Sequence, residues 1–426
     1  MISSLGSILT LQRLQIAATF FCICVILGLF TSSFFRILPS IGMAGLLATG
    51  IVSYGLHRKV YSRMHGSIYS AFSLVYIIHL VSGFLISAVN WGEYKRDIVL
   101  QLPFLILPLA FWLLPALPGA HLRKLWFCLI GAATTAALLS TVNYVLHFEQ
   151  INELYLHSKV MPTEPDHIRF SLIITLAIAA GGALLMHQSI TGIGKKLVVG
   201  AVLFLALYQH MLAVRSGLLT FYFLGGVTCL WLVMRRQQYY RALQLAAGLL
   251  LLPVLSYVCF PTFRNKSVNT REDVGRVEHT ASANNYSLVG RVYSYKVALK
   301  VIKDNPWFGV GKADIESEMA IHYRQDYPTI QPEAYIQPHN QYLYSTVAFG
   351  GVGLLLFIIG FYYPGLSIWP RHAPLLLAQY IITTLSFLVE YTLETQIGLA
   401  FALFFLLLAL EGCKSPASPE KEWRPA

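Results

Sequence analysis

The chain has 426 residues, of which 56% are hydrophobic and only 12% charged, with a mean hydropathy of +0.60. A soluble globular domain carries roughly 25% charged residues, so these proportions exclude a soluble protein and point to an all-α, polytopic membrane protein. A net charge of +11 would suggest nucleic acid in a soluble chain; here it implies no nucleic-acid partner, because basic residues gather in the connections on one side of a membrane.

A span needs about 20 apolar residues, and about twelve stretches qualify, near 14–35, 37–56, 67–89, 98–117, 122–146, 168–188, 196–213, 216–234, 241–260, 341–364, 372–391 and 395–411. The first reads as a retained span, since no small-residue cleavage site follows it. Pro103, Pro108, Pro115 and Pro118 crowd the fourth and predict a kinked or broken helix. Residues 1–260 thus carry nine spans, 261–339 an inserted subdomain, 340–411 three more spans, and 412–426 a disordered tail containing Ser415-Pro416-Ala417-Ser418-Pro419.

With the N-terminus in the cytoplasm, the inner connections hold Arg58, Lys59, Arg63, Arg123, Lys124, Lys195, Lys196, Arg235, Arg236, Arg241 and Arg371. The short outer ones hold Arg36, Lys95, Arg96, Lys159 and Arg215. That bias predicts both termini inside and the 79-residue loop from Pro261 to His339 outside, where long loops escape the rule. None of the six cysteines lies in this loop, so no disulfide framework staples it.

Within the loop, Asn265 to Tyr286 reads as polar, mixed-charge and mobile. From Leu288 to Asp304 the sequence becomes periodic: Leu288, Val292, Tyr295, Leu299 and Ile302 step by four, three, four and three, one face of an amphipathic helix. Arg291 falls at the edge of that stripe and points toward whatever the helix docks on. Asn305-Pro306 ends the helix, and Gly309 and Gly311 turn the chain.

Four ionisable positions converge on the outer face by topology alone: Arg169 opening the sixth span, Arg215 in the tight connection Val214-Arg215-Ser216-Gly217, Arg291 on the loop helix, and His339 opening the tenth span. Taken singly, a basic residue at a span end reads as an interface anchor and a lone histidine as structural. Taken together they ask for an anionic ligand, because guanidinium groups pair bidentately with phosphate oxygens and stay charged. Asp314, Glu316 and Glu318, like Glu164 and Asp166, alternate as solvated loop acids do, and no metal is expected. Glu390 and Glu394, also outside, read as counter-ions for arginine. A polyprenyl diphosphate leaves as an anion, so its transfer needs charge stabilisation and a base for the attacking hydroxyl; imidazole suits the second task near neutral pH.

Three stretches resemble a known family. Gly290-Arg291 and Lys303-Asp304-Asn305-Pro306-Trp307-Phe308-Gly309-Val310-Gly311 form one, His339-Asn340-Gln341-Tyr342-Leu343 with Gly350-Gly351-Val352-Gly353-Leu354 the second, and Arg215-Ser216-Gly217, with Arg169-Phe170-Ser171 a looser match, the third. They are similar to the O-antigen ligases among the O-antigen ligase/polymerase-like membrane glycosyltransferases. Phe349 departs from the acidic or small residue that relatives often carry before the glycines. The resemblance implies a periplasmic active site on a multi-pass protein of the bacterial inner membrane. It implies a metal-independent, inverting transfer, without cofactor, of an O-antigen glycan from undecaprenyl diphosphate to lipid A–core oligosaccharide. It further implies His339 as base, Arg215 and Arg291 as diphosphate clamp, and Arg169, Asn340 and Tyr342 as further substrate contacts. An O-antigen polymerase or a protein O-oligosaccharyltransferase of the same group is the nearest alternative; a transporter of an anionic substrate is the alternative from another class, against which stands a membrane interior bare of charge.

Overall fold

The computed structural model describes residues 10–57, 66–83, 90–156, 159–186, 190–368 and 373–414. Arg58, Lys59, Arg63, Arg371 and the tail beyond Lys414 lie outside them. Among the described residues the chain is wholly helical, without strands. The first half comprises α1 (Leu11–Phe30), α2 (Leu38–His57), α3 (Gly66–Ser82), α4 (Trp91–Gln101), α5 (Pro103–Leu113), α6 (Gly119–Leu146), α7 (Phe148–Leu156), α8 (His167–Met186), α9 (Gly192–Leu212), α10 (Arg215–Met234) and α11 (Tyr239–Cys259). Then come α12 (Pro261–Gly275), α13 (Ser287–Asp304) and α14 (Ile315–Asp326), followed by α15 (Gln341–Ile368), α16 (Pro374–Val389) and α17 (Gln396–Lys414).

Among the described residues, ten segments are long and apolar enough to cross a membrane, α4 and α5 counting as one from Trp91 to Leu113. The other two predicted spans fall on shorter apolar helices, α3 with 17 residues and α16 with 16. The predicted break in the proline-rich segment lies at Leu102, whose N–H reaches back only to Val99, 3.4 Å away; Pro103 then starts a new helix with no N–H to offer. The centre of the bundle is α17. It is apolar on all sides and accordingly buried on all sides from Gly398 to Glu411. At its far end Glu411 pairs with Lys414 at 2.9 Å and accepts the Leu117 N–H at 3.1 Å.

The stretch expected to be a mobile loop, 265–286, is instead mostly helix α12 and a 3-10 turn, Thr280–Asn284. Its order comes from a polar stripe that a hydrophobicity pattern does not register. Thr262 donates to the Met211 carbonyl at 2.6 Å, Asn269 donates to that of Tyr155, and Asp273 pairs with Arg215. The helix predicted at 288–304 is α13, but its buried stripe is Val289, Tyr293, Val297 and Val301, with Gly290, Ser294 and Ala298 beside it. At about 100° per residue, this stripe lies on nearly the opposite side of the helix from the predicted face, leaving Leu299 56% exposed. The shift arises because α13 is covered by α14 and the tyrosine cluster of Tyr293, Tyr323, Tyr327 and Tyr335 as well as by α15.

Two of the sequence motifs meet in space. Helix α15 is broken at Gly350, whose φ of +66° and ψ of −171° are open to glycine alone. The amides that would have bonded within the helix turn outward. Gly351 N–H donates to the Pro306 carbonyl at 2.8 Å and Val352 N–H to that of Trp307 at 3.2 Å. The carbonyls of Val347 and Ala348 accept from Val310 at 3.0 Å and Gly311 at 2.9 Å. The 306–311 turn is thus spliced into the helix ladder, each broken bond replaced by one on either side.

Candidate active site

The first turns of α8, α10 and α15, the last turn of α16, and the inner faces of α12 and α13 meet at one end of the bundle. His339 sits two residues before α15, its carbonyl held by the Tyr295 hydroxyl at 2.7 Å and its ring 4.9 Å from that of Tyr391. Its Nδ1 lies 2.9 Å from Glu390 Oε1, at ion-pair distance but off the line of a hydrogen bond. The other oxygen of Glu390 is 3.6 Å from Arg291 Nη2, and Arg291 Nη1 donates to the adjacent Val389 carbonyl at 3.0 Å. Burial of Glu390 pushes its carboxyl upward, yet His339, Arg169 and Arg291 outweigh this and hold it below the usual range. An ionised carboxylate, 3% exposed, therefore stands between an imidazole and a guanidinium.

Arg215 donates Nε to Thr270 Oγ1 at 3.0 Å and Nη2 to Asp273 at 2.8 Å. Both partners lie on α12, four and seven residues after Lys266, which shares their face. Burial and the neighbouring charges of Arg215 and Arg291 lower the Lys266 ammonium to about 8. Arg169, paired with Asp166 at 3.2 Å, keeps a buried Nε without a hydrogen bond. His167 feels the charges of Asp166, Lys266, Arg169 and Glu390. Four basic side chains, Arg169, Arg215, Lys266 and Arg291, thus gather with three carboxylates, Asp166, Asp273 and Glu390, and two imidazoles. Such a cluster can hold a polyanion and accept a proton beside it.

The structure brings together Arg169, Arg215, Arg291 and His339 but turns Asn340 and Tyr342 to other work. Asn340 caps α15, its Oδ1 accepting from Tyr342 N and Leu343 N, both at 3.0 Å, and its Nδ2 donating to the Leu388 carbonyl at 3.2 Å. Tyr342 packs on Phe357 and Phe387 and bonds the Tyr362 hydroxyl at 2.5 Å, inside the bundle. Glu390 is a counter-ion of Arg291, as expected; Glu394 pairs with Lys312, a lysine, which also holds Asp97. Asp314 is buried and accepts from Asn90. Lys266, Asp273 and Tyr295 were missed as site residues, although the i, i+4, i+7 spacing of Lys266, Thr270 and Asp273 was there to be read as one helix face.

A helical bundle with a basic cluster and a buried carboxylate–imidazole pair at one end, beside helices α12 to α14, defines a multi-pass membrane protein. Residues 176–358 match the family model described as O-antigen ligase, and no curated protein matches the chain. That segment is similar to O-antigen ligases, a likeness that supports a glycosyltransferase-type function of the O-antigen ligase/polymerase kind. The matched segment takes in Arg215, Lys266, Arg291, His339 and both glycine motifs, and stops short of Arg169 and Glu390.

Proposed function

We propose that this protein is an O-antigen ligase that moves a glycan from undecaprenyl diphosphate to a hydroxyl of lipid A–core oligosaccharide, on the periplasmic face of the inner membrane. The observation that carries the reading is the His339–Glu390–Arg291 contact beside Arg215 and Lys266. His339 presents Nδ1 to Glu390, so Nε2 is the nitrogen that takes the proton of the acceptor hydroxyl. The freed oxygen attacks the anomeric carbon from the face opposite the diphosphate. The bond to the diphosphate breaks as the new glycosidic bond forms, which inverts the centre. Glu390 stabilises the imidazolium that results, as a buried carboxylate does beside a catalytic histidine. Arg215 and Arg291 receive the charge that grows on the departing lipid diphosphate, with Lys266 and Arg169 behind them. Lys and Arg placement along the sequence favours the periplasmic orientation.

The test is transfer by purified protein with lipid-linked donor and lipid A–core acceptor. His339→Ala is expected to lose roughly 10²–10⁴-fold in rate while still binding donor. Near-normal transfer by that variant would remove His339 from the reaction. In cells lacking the gene, a lipopolysaccharide gel should show intact core without a ladder, with lipid-linked polymer accumulating. Loss of long polymer itself would select a polymerase instead.

A further inference from the structure

The turn spliced into α15 has an outward side that the site does not use. Trp307 and Phe308 are 69% and 62% exposed, although neighbouring backbone is tied tightly to the helix. The Trp307 carbonyl is held by Val352 N–H, so the indole stands beside the exposed apolar side of α15, where Val352, Leu355, Leu356 and Ile359 are 39%, 59%, 37% and 44% exposed. The contacts fall six to eleven residues beyond Gln341. At 1.5 Å per residue this is about 9–16 Å along the helix from its polar end. A helix of 28 residues is about 42 Å long, close to the ~40–45 Å of a bilayer with its headgroups. The turn therefore reaches past the headgroup layer to the edge of the hydrocarbon. Backbone at that depth is stable only where its polar groups are paired, which the splice at Gly350 provides for Pro306, Trp307, Val310 and Gly311.

We propose that Trp307 and Phe308 form a wedge inserted into the bilayer leaflet on the subdomain side, their partner being the boundary between phospholipid headgroups and acyl chains. Exposed aromatic rings favour that boundary, and the wedge continues the lipid-facing side of α15. It fixes the height of the subdomain, and hence of the cluster around His339, relative to the membrane surface.

The wedge can be located in the intact protein reconstituted in phosphatidylcholine vesicles. Replacing Trp91, Trp112, Trp126, Trp231, Trp369 and Trp423 by Phe leaves Trp307 as sole fluorophore. The expected result is blue-shifted emission, quenched by lipids brominated high on the acyl chain and indifferent to aqueous iodide. Red-shifted emission quenched by iodide would overturn the proposal, as would protection from both quenchers, which would mean a protein contact. Should the sixfold variant misfold, a nitroxide at Phe308→Cys, with the six native cysteines replaced by serine or alanine and the tryptophans unaltered, gives the same answer. Collision with oxygen should exceed collision with a water-soluble nickel chelate, and the reverse order refutes the wedge.

Discussion

Replacing Glu390 by glutamine separates the two halves of the proposed mechanism. The amide keeps the volume and removes the charge that now lies 2.9 Å from His339 Nδ1 and 3.6 Å from Arg291 Nη2. Deleting one member of a buried ion pair costs about 3–5 kcal/mol. His339 and Arg291 are 19% and 30% exposed, so water recovers part of that, leaving about 2–3 kcal/mol. Because imidazolium forms only as the hydroxyl is deprotonated, the loss falls on turnover, roughly 30–150-fold. Donor affinity should move the other way or stay level, since an anion beside a diphosphate site repels its ligand. Single-turnover transfer by Glu390→Gln, set beside donor binding measured separately, reads both numbers. Turnover within threefold of the unmodified protein, or a loss confined to donor affinity, would refute the role given to Glu390.

Arg215→Lys and Arg291→Lys should each lose about 10–100-fold in transfer, because a point charge does not replace a bidentate fork worth roughly 1.5–3 kcal/mol; unchanged rate and affinity would leave them as anchors. Transfer should survive EDTA, the guanidinium groups neutralising the diphosphate, and rescue by magnesium after EDTA would count against this. Lys266, lowered to about 8, is charged below that pH and neutral above it, so donor affinity should fall as pH rises through about 8, and Lys266→Met should abolish that step. The sign for stability is opposite: from about pH 8 up to the ordinary lysine range the unfolded chain holds a proton the folded one lacks, so this group's contribution to stability rises with pH. Gly350→Ala places a Cβ 2.2 Å from the Trp307 carbonyl carbon at a φ of +66°. Strain alone costs about 1–3 kcal/mol there, and an unchanged melting temperature in detergent would contradict the splice.

The spans were legible because a bilayer demands long apolar runs, and Arg215, Arg291 and His339 stood out because charge beside such runs is costly. What sequence periodicity did not convey was order built from polar contacts. Helix α12 has almost no apolar face, so its hold on Arg215 through Thr270 and Asp273 was invisible until the helices were in place. The buried stripe of α13 lies nearly opposite the predicted one, because a helix covered from several sides lacks a single dry face. Asn340 was legible in another way: an asparagine just before a long apolar run is an N-cap signature, and capping accounts for its polar atoms. Phe349, the departure from the family pattern, packs against the buried His79 ring with centroids 4.7 Å apart.

The splice at Gly350 also carries an order of assembly. Residues 306–311 leave the ribosome before 347–352 do, and the helix that receives them cannot close its ladder without them. The receiving segment therefore folds with amides still seeking carbonyls, and the turn that answers them must already be within reach. Placing the 306–311 turn is in this sense a precondition for finishing α15, and a nascent chain stalled between the two would carry an unfinished helix.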